Sequence, residues 1–448
     1  MIFGGDEVYP TASRQGYEER LVRPYEAALQ STDEPHPHVY AVPGNHDWYD
    51  SLVSFMRLFT SKRWFAGWRT QQDRSYFALK LPFGWWLVGP DVQLGSDIDG
   101  PQVKYFKEVA RQMEDSDRII LCNAEPFWVY EGMYRDYDET VYNQSNLKFL
   151  EEKVLGRKVS VFLSGDLHHY RRHEGEDGVQ KFTAGGGGAF LHPTHGPDVS
   201  ELPGKFRLRK CFPDQETSRR MCWSNFKFPF LHKGFGVMAG FIYLLTAWVV
   251  LSNAELRNAD GLGSAMSLMA WSLIENPSSL VLVLAVFAGF YLFTDTHSKP
   301  YRYIAGSIHG LAHLLAIFVI GWGGYHIAFY LPQPSLTTLA QFSLAGALIF
   351  AGGWLGESLI MGAYLFVSLN LFGRHSNEAF SSLASEDYKN FLRLKIEPDG
   401  KLTIFPIGVR RVARRWKDRP EGEDGPELVP DDPKATAPEL IEEPIYIQ

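Results

Sequence analysis

The sequence of 448 residues predicts an α/β domain followed by an all-α transmembrane domain of four helices. Residues 1–203 alternate short apolar runs with polar stretches, as the strands and loops of an α/β domain do. From residue 234 onward, long runs without Asp, Glu, Lys or Arg follow one another. The chain is also too long for one compact core, so at least two structural units are expected.

The composition excludes several classes of protein. Hydrophobic residues make up 45% of the chain and aromatic residues 14%, which excludes a largely disordered protein. The segment from Asp418 to Gln448 contains the whole excess of acidic residues behind the net charge of −8. The rest of the chain is neutral, so no nucleic acid partner is expected. The three cysteines show no Cys-x-x-Cys spacing, which predicts neither a disulfide framework nor a structural zinc module.

Four apolar stretches are long enough to cross a lipid bilayer, which takes roughly 20 helical residues. The first is 234–254 and the second is 276–294. The third and fourth share 303–356, where the turn signal Pro332–Ser335 separates them, and the fourth continues past Glu357 towards Phe372. Basic residues precede the first stretch, lie between the second and third, and follow the fourth. An even number of crossings with these basic sides inside places both polar ends in the cytoplasm.

The segments that flank the transmembrane region differ in character. Residues 204–232 form a basic juxtamembrane linker before the transmembrane domain, which we assign to 233–373. Residues 374–417 follow as a cytoplasmic segment, where Phe391–Ile396 and Leu402–Ile407 flank Pro398-Asp399-Gly400 and predict a β-hairpin. The basic run at 410–417 suits either anionic lipid headgroups or a solvated surface. The acidic, proline-rich tail 418–448 is expected to be disordered.

Several predicted strands of the α/β domain end in polar clusters. These clusters are Gly4-Gly5-Asp6, Gly44-Asn45-His46-Asp47, Asp91, Ala124-Glu125-Pro126 and Gly165-Asp166-Leu167-His168-His169. In an α/β sheet, sites form beyond the carboxyl ends of the strands, so such clusters can converge on one edge. Carboxylate, amide carbonyl and imidazole are ligand types suited to manganese, iron or zinc.

At Gly5-Asp6, Gly44-Asn45-His46-Asp47 and Gly165-Asp166-Leu167-His168, the sequence resembles the calcineurin-like metallophosphoesterases. The three motifs stand in the family's order over residues 1–200. The resemblance implies a metallophosphoesterase-type α/β sandwich and hydrolysis of a phosphomonoester or phosphodiester by a hydroxide that bridges two divalent metal ions. The layout resembles bacterial membrane-anchored metallophosphoesterases, which implies a multi-pass protein of the bacterial inner membrane with the catalytic domain in the cytoplasm.

The resemblance also implies roles for individual residues. Asp6 would bridge the two metal ions, Asn45 would bind the second ion and His168 the first. His46, oriented by Asp47, would stabilise the transition state or protonate the leaving group. Two cations offset the charge that builds on the phosphoryl oxygens, which is why such chemistry uses a metal pair.

The sequence departs from the family pattern in three places. The family's first motif, Asp-x-His, has no counterpart, so we expect an N-terminally incomplete domain whose first strand is missing. Ala124 replaces a histidine ligand, and Asp166 replaces the first histidine of Gly-His-x-His. An aspartate still binds metal through oxygen, so this oxygen-rich site favours manganese or magnesium over zinc, with iron also possible.

Further residues are candidates for supporting or substrate-contacting roles. They are Glu125, His169, His192, His195 and Asp91. Each has an ordinary alternative, as a loop residue, a cap or a surface histidine. The run Gly185–Gly188 suits either a phosphate-binding backbone or a tight turn.

Two other functions remain open at this stage. Because of its altered ligands, the domain is alternatively a catalytically degenerate sensing or binding module on a membrane anchor. It is also possible that the domain regulates a transport function of the membrane domain. His309 and His313 lie four residues apart on one helix face, and with His326 and Glu357 they form either a proton or metal path or helix-packing hydrogen bonds.

Overall fold

We describe a computed structural model of the chain. The structure describes all residues except 30–36, 94, 134–137, 255, 257–258, 295–297, 331–335, 421, 423–424 and 426–427. The predicted turn Pro332–Ser335 therefore lies outside the described residues. The chain forms two compact units. Unit 1 comprises Met1–Ser218 and Ser385–Gln448, and unit 2 comprises Arg219–Ala384.

Unit 1 begins with a small sheet covered by helices. Its strands are β1 (Ile2–Phe3), β2 (His38–Ala41), β3 (Trp64–Phe65) and β4 (Trp68–Thr70), in the order β1-β2-β4-β3 with β1, β2 and β4 parallel. The helices are α1 (Arg14–Tyr17), α2 (Arg23–Ala28) and α3 (Val53–Phe59), with a π-helical turn Glu18–Val22 and a 3₁₀ turn Asp47–Asp50. Ser13 begins α1 by accepting a hydrogen bond from the Gly16 amide at 2.9 Å. Buried Phe55 and Phe59 pack this layer onto the sheet.

An eight-stranded sheet forms the centre of unit 1. Its strands are β5 (Phe77–Leu81), β6 (Trp85–Gly89), β7 (Arg118–Cys122), β8 (Val159–Ser164), β9 (Tyr170–Glu174), β10 (Gln180–Ala184), β11 (Glu201–Leu202) and β12 (Phe206–Phe212). The order is β11-β12-β9-β10-β8-β7-β6-β5, and the core strands β6, β7, β8 and β10 are parallel. Parallel strands are buried on both faces, which explains the continuous apolar runs at β6 and β7.

Helices cover one face of this sheet and strands cover the other. The helices are α4 (Gly100–Ala110), α5 (Phe127–Met133) and α6 (Asp138–Phe149), followed by a π-helical turn Leu150–Leu155. Asp99 begins α4 by accepting from the Gln102 amide at 2.8 Å. On the opposite face, Val42, which directly follows β2, shares a core with Trp85 and Ile120. Unit 1 is thus a layered α/β sandwich, as predicted at the level of fold class.

The segment after unit 2 returns to complete this core. Strands β13 (Lys389–Ile396) and β14 (Leu402–Val409) form the predicted hairpin. Leu402 and Ile404 are fully buried against the core residues Trp85 and Phe182. The Trp85 indole also donates a hydrogen bond to the Gly400 carbonyl at 2.8 Å. The hairpin is therefore part of the same compact unit as the α/β domain.

The tail differs from the disorder expected of 418–448. It contains β15 (Trp416–Asp418), β16 (Leu428–Pro430), β17 (Glu439–Leu440) and β18 (Ile445–Ile447), and both β17 and β18 pair with β14. Arg172 of β9 forms a two-point ion pair with Glu442, whose shorter contact is 2.7 Å. The described residues of the tail near β17 and β18 pack on unit 1 because apolar side chains such as Ile441 fill the core and Arg172 pairs with Glu442.

Unit 2 is helical. Its helices are α7 (Gln215–Cys222, which begins at the end of unit 1), α8 (Phe228–Leu231), α9 (Lys233–Asn253), α10 (Leu262–Glu275), α11 (Pro277–Phe293), α12 (Lys299–Tyr330), α13 (Thr338–Phe372) and α14 (Ser376–Ser381), with a 3₁₀ turn Trp223–Lys227. Thr337 begins α13 as its cap, and Gly373 ends it in the left-handed conformation.

Three of these helices, α9, α12 and α13, are long and apolar enough to cross a membrane. The second predicted span is α11, which is joined to α10 by a bend of 106° at Asn276. The described chain therefore has three candidate spans, or four if the bent pair is one span, which is consistent with a multi-pass membrane protein. The bend follows from Pro277, which fits the first position of a helix and not its interior.

Candidate metal and phosphoryl site

Four strand ends of unit 1 meet at one place. The loops after β1 and β2 approach the loops after β7 and β8. A methyl group built on Gly5 would lie 2.5 Å from Cβ of Ala124, and one on Gly165 would lie 3.1 Å from the Gly4 carbonyl oxygen. The Gly165 amide also donates to the Ala124 carbonyl at 2.8 Å. The predicted convergence of the first, second, fourth and fifth polar clusters is therefore present.

Asp6 is held at this junction by unusual backbone geometry. Its φ of 54° lies in the left-handed region, which a non-glycine residue rarely adopts. Its Oδ1 accepts a hydrogen bond from the His46 amide at 2.9 Å. Gly44 leaves room for this carboxylate, because a Cβ there would lie 2.1 Å from Asp6 Oδ1. The turn after β2 is thus shaped around Asp6.

Asp166, two residues after the end of β8, also has a left-handed backbone, with a φ of 58°. The Tyr130 hydroxyl donates to its Oδ2. Asp166 has two charged neighbours, Glu125 and Asp6. We call Asp6, Glu125 and Asp166 the acidic cluster. Two of its members are aspartates in strained backbone positions, and such positions concentrate at functional sites.

The members of the acidic cluster hold protons unusually tightly. Burial raises the pKa of Asp6 to about 6, and burial together with the Asp6 charge raises the pKa of Glu125 to about 7. Burial and the charges of Glu125 and Asp6 raise the pKa of Asp166 well above its ordinary value. Among the described residues, no Lys or Arg forms an ion pair with any of the three. Crowded carboxylates of this kind are stabilised by a cation.

Asn45 adds a neutral oxygen beside the cluster. It follows Gly44, and its side-chain Oδ1 is buried without a hydrogen-bond partner among the residues that the structure describes. Leaving such an oxygen unpaired costs about 1–3 kcal/mol. A buried amide oxygen without a donor suits a cation ligand.

His168 is oriented by its backbone surroundings. Its Nδ1 lies 2.7 Å from the Phe190 carbonyl, so Nδ1 carries the proton and Nε2 carries the lone pair. Its ring stacks on His192 at 4.2 Å, and the His168 amide donates to Nδ1 of His192 at 3.2 Å. Burial lowers the pKa of His168 to about 4, which keeps the imidazole neutral, the form that binds metals.

His46 has a partner other than the one predicted. Its Nδ1 lies 2.6 Å from the Pro10 carbonyl, and its ring packs between Tyr9 and Tyr49 with centroids 4.6 and 4.8 Å away. Asp47 does not orient it. Instead, the fully buried Asp47 accepts from the Tyr17 hydroxyl and from the Gly44 amide, the latter at 2.8 Å. The reason is local: the 3₁₀ turn that starts at Asp47 turns this side chain towards α1.

The other candidates have different places. His192 packs against His168 as described, and Nδ1 of His195 lies 2.8 Å from the Ser218 hydroxyl. Asp91 is buried and accepts from the Trp48 indole at 3.0 Å. Burial raises the pKa of Asp91 to about 6, and its charged neighbours are Asp99 and Asp47, not the acidic cluster.

His169 is buried beside Arg171 and His192. It is 1% exposed, and burial followed by the positive charge of Arg171 lowers its pKa well below the ordinary value. The glycine run is a turn that packs on the hairpin, since a Cβ on Gly186 would lie 2.2 Å from the Asn390 amide nitrogen.

Three residues near the site were not predicted from the sequence. Tyr130 binds Asp166 as described. Glu7 is a buried carboxylate whose pKa is raised well above its usual range by burial and by Asp47. Lys389 of β13 donates to the Gly188 carbonyl and is a charged neighbour of His168. Glu7 directly follows Gly5-Asp6, so a second carboxylate beside the first motif is the feature of the sequence that could have indicated it. Lys389 lies 201 positions from Gly188, so no local pattern reveals it.

The donor chemistry suits a hard divalent cation, because carboxylate oxygens and an amide oxygen dominate it. Within the described part of the chain, no three His, Cys, Asp or Glu side chains are gathered closely enough to hold one ion between them as they stand. The acidic cluster and the unpaired Asn45 oxygen are the features of the site that favour a cation. A comparison with protein-family models and a search of curated proteins found no match to this sequence.

Proposed function

We propose that the chain is a metal-dependent phosphoesterase carried by a multi-pass membrane protein. The observation that supports it most is the acidic cluster, in which Asp6, Glu125 and Asp166 are charged neighbours with no basic ion-pair partner among the described residues. Carboxylates brought together at strand ends without a basic side chain to pair them are the arrangement that divalent-metal hydrolases use.

In this proposal, Asp6, Asn45 and Asp166 hold two divalent cations, with manganese as the favoured metal, and His168 contributes its Nε2. Bound cations supply Lewis acidity and offset negative charge on a phosphoryl group. Glu125 adds a fourth carboxylate or amide oxygen to the set, in place of the ligand that Ala124 cannot provide.

The histidine at the second motif acts on the leaving group. Because Nδ1 of His46 is taken by the Pro10 carbonyl, Nε2 is the ring atom left for substrate. A protonated Nε2 donates its proton to the departing oxygen, which the leaving alcohol needs at neutral pH. The rings of Tyr9 and Tyr49 hold the imidazole in place during this step. The substrate is a phosphate ester, and an ester close to the bilayer suits a domain attached to membrane helices.

Metal content and hydrolysis test the proposal together. Full-length protein purified in detergent is stripped of metal and incubated with Mn²⁺, Mg²⁺, Zn²⁺ or Fe²⁺, and bound metal and hydrolysis of aryl phosphate mono- and diesters are then measured. We expect stoichiometric metal and turnover in the wild type, and a loss of at least about 100-fold in turnover with reduced metal in Asp6→Asn. Asp198→Asn, at an exposed loop position, is the matched control and should behave as wild type.

The same experiment distinguishes the phosphoesterase from a second candidate function. Ala124 is buried at a strand end where the family that the sequence resembles has a metal ligand. This substitution favours a domain that binds its ligand without turnover. Metal binding without hydrolysis of any ester would support this sensing or binding module. A stable fold with neither metal nor hydrolysis would contradict the phosphoesterase proposal.

A further inference from the structure

The helical unit contains a buried chain of polar side chains that a hydrolase does not need. The Tyr243 hydroxyl on α9 lies 2.6 Å from Nδ1 of His313 on α12. Nε2 of His313 lies 3.0 Å from Nε2 of His309, one turn earlier on the same helix. His309 is 2% exposed, and His313 and Tyr243 are fully buried. Polar groups in apolar helices are costly and concentrate at functional sites.

Aromatic rings fix the orientation of both imidazoles. Phe290 of α11 stacks on His313 with centroids 3.5 Å apart, and Tyr364 of α13 stacks on His309 at 4.0 Å. The Tyr364 hydroxyl lies 3.1 Å from Nε2 of His375, just beyond the end of α13. The contact of Tyr364 with His309 is a ring stack, so the hydrogen-bonded chain itself comprises Tyr243, His313 and His309.

The Nε2 to Nε2 contact has a consequence for protons. Only one of the two nitrogens can donate, so a single proton lies between His309 and His313. If His313 donates, its Nδ1 accepts from the Tyr243 hydroxyl; if His309 donates, Nδ1 of His313 donates to the Tyr243 oxygen instead. The second arrangement follows from the first when Nε2 of His313 passes its proton to Nε2 of His309 and Nδ1 of His313 takes the Tyr243 proton. The step balances when Tyr243 gains a proton from outside the chain and His309 releases the proton on its Nδ1, so that one proton crosses the chain in total.

A carboxylate lies next to this chain. Glu357 on α13 is fully buried; its Oε2 accepts from the Ser358 hydroxyl at 3.2 Å, and its Oε1 has no partner among the described residues. Gly353, one turn earlier, lets Tyr243 approach α13, because a Cβ there would lie 2.5 Å from Cβ of Tyr243. Tyr243 and Glu357 are electrostatic neighbours. An isolated ionised carboxylate is very costly in such surroundings, so Glu357 carries a proton.

We propose that Glu357 and the His309–His313 pair form a proton-binding site within the helical unit. Its ligand is the proton itself. The titratable groups that face the site are Tyr243 from α9, Tyr364 and Glu357 from α13, and His375 after α13, while α11 presents Phe290. His326 lies against Trp322 and Tyr330 and takes no part.

Infrared difference spectroscopy tests this proposal directly. Full-length protein in lipid nanodiscs is compared at acid and alkaline pH, in H₂O and D₂O, and the carbonyl stretch of protonated carboxylic acids is recorded. Carboxyls of unit 1 are common to all samples, so the difference between wild type and Glu357→Gln isolates Glu357. We expect a deuterium-sensitive band that titrates in the wild type and in His326→Gln, and that is lost in Glu357→Gln.

The histidine pair is tested with Glu357 intact. His313→Gln should shift the pH midpoint of the Glu357 band, whereas His326→Gln, on the same helix, should leave it in place. The proposal is overturned if the wild type has no band that depends on Glu357, or if His313→Gln and His326→Gln titrate alike. Either result would mean that these buried polar side chains serve only the packing of the helices. Loss of ester hydrolysis would not affect this outcome, so the two proposals fail separately.

Discussion

Glu125 shows how one side chain links the candidate site to stability. Its pKa is about 7 in the folded protein because of burial and the Asp6 charge, against an ordinary value of 4.5. Between these values, the folded protein binds more protons than the unfolded chain does. The free energy of unfolding of the metal-free protein therefore falls as pH rises from about 4.5 to about 7. The stability that the protonated Glu125 contributes is fully present only below this interval.

We predict that Glu125→Gln removes this dependence of stability on pH, because glutamine is neutral at every pH. Without metal, the variant should be more stable than wild type at alkaline pH by about 1–3 kcal/mol, and the gain should vanish at acid pH, where Glu125 is protonated in both states. Denaturant unfolding followed by tryptophan fluorescence measures the difference. Glu216→Gln, at an exposed position, is the control. Equal pH slopes for Glu125→Gln and wild type would contradict the assigned pKa.

At this scale the sequence predicts some site residues and misplaces others. Asp6 follows β1 of the four-stranded sheet, and Asp166 follows β8 of the eight-stranded sheet. Placement of these residues at strand ends could be predicted from the apolar runs before them, but the meeting of strand ends from two sheets could not. The family resemblance implies that Asp47 orients His46. Adjacent residues in a 3₁₀ turn point in different directions, and the partner of Asp47 is Tyr17, 30 positions away. Only the folded chain reveals such a partner.

Among the elements, the C-terminal strands differ most from expectation. Local composition predicts disorder for the tail because acidic and proline residues dominate it. Ile441, Ile445 and Ile447 are too few to signal strands, yet they pack into a core built by distant residues. The hairpin β13–β14 could be predicted, since its turn residues and apolar strands are local features. Pairing of β17 and β18 with β14 could not.

The ion pair at the tail should hold these elements together. Glu442 accepts from Arg172 and from the Tyr170 hydroxyl, the latter at 2.6 Å, and both partners of the ion pair have side chains less than one-fifth exposed. We predict that Glu442→Ala lowers the free energy of unfolding by about 2–4 kcal/mol, because it leaves the largely buried guanidinium of Arg172 without its acid.

Limited proteolysis and thermal unfolding measure this effect. The neighbouring exposed residue gives the matched control, since Glu443→Ala removes an equal charge from the same strand connection. We expect rapid cleavage of the tail in Glu442→Ala and a wild-type pattern in Glu443→Ala. Equal resistance of the two variants would show that the apolar contacts alone hold the tail.

At the scale of the whole molecule, the two chain segments that form unit 1 constrain how the chain crosses the membrane. Unit 1 contains both Met1–Ser218 and Ser385–Gln448, so the two ends of the helical unit must emerge on the same side. This requires an even number of crossings. The three long helices are an odd number, so the bent pair α10–α11 should count as the fourth crossing and not as a re-entrant loop.

Cysteine accessibility tests this topology. The native cysteines are buried, so single exposed positions can be labelled with a membrane-impermeant maleimide in intact cells and in inside-out vesicles. We predict that Ser200→Cys and Lys299→Cys react from one side, the cytoplasmic side, and that Asp260→Cys reacts from the other. Labelling of Lys299→Cys together with Asp260→Cys would mean that the bent pair re-enters.

The shared core of unit 1 also sets an order for biogenesis. Trp85 and Ile120 are made early, whereas Leu402 and Ile441, which cover the same apolar surface, leave the ribosome only after every membrane helix. Until then that surface is exposed on the nascent chain. Completion of the core of unit 1 must therefore wait for synthesis of the helical unit, and a ribosome stalled within the helices would present an open, aggregation-prone sheet to the cell's chaperones.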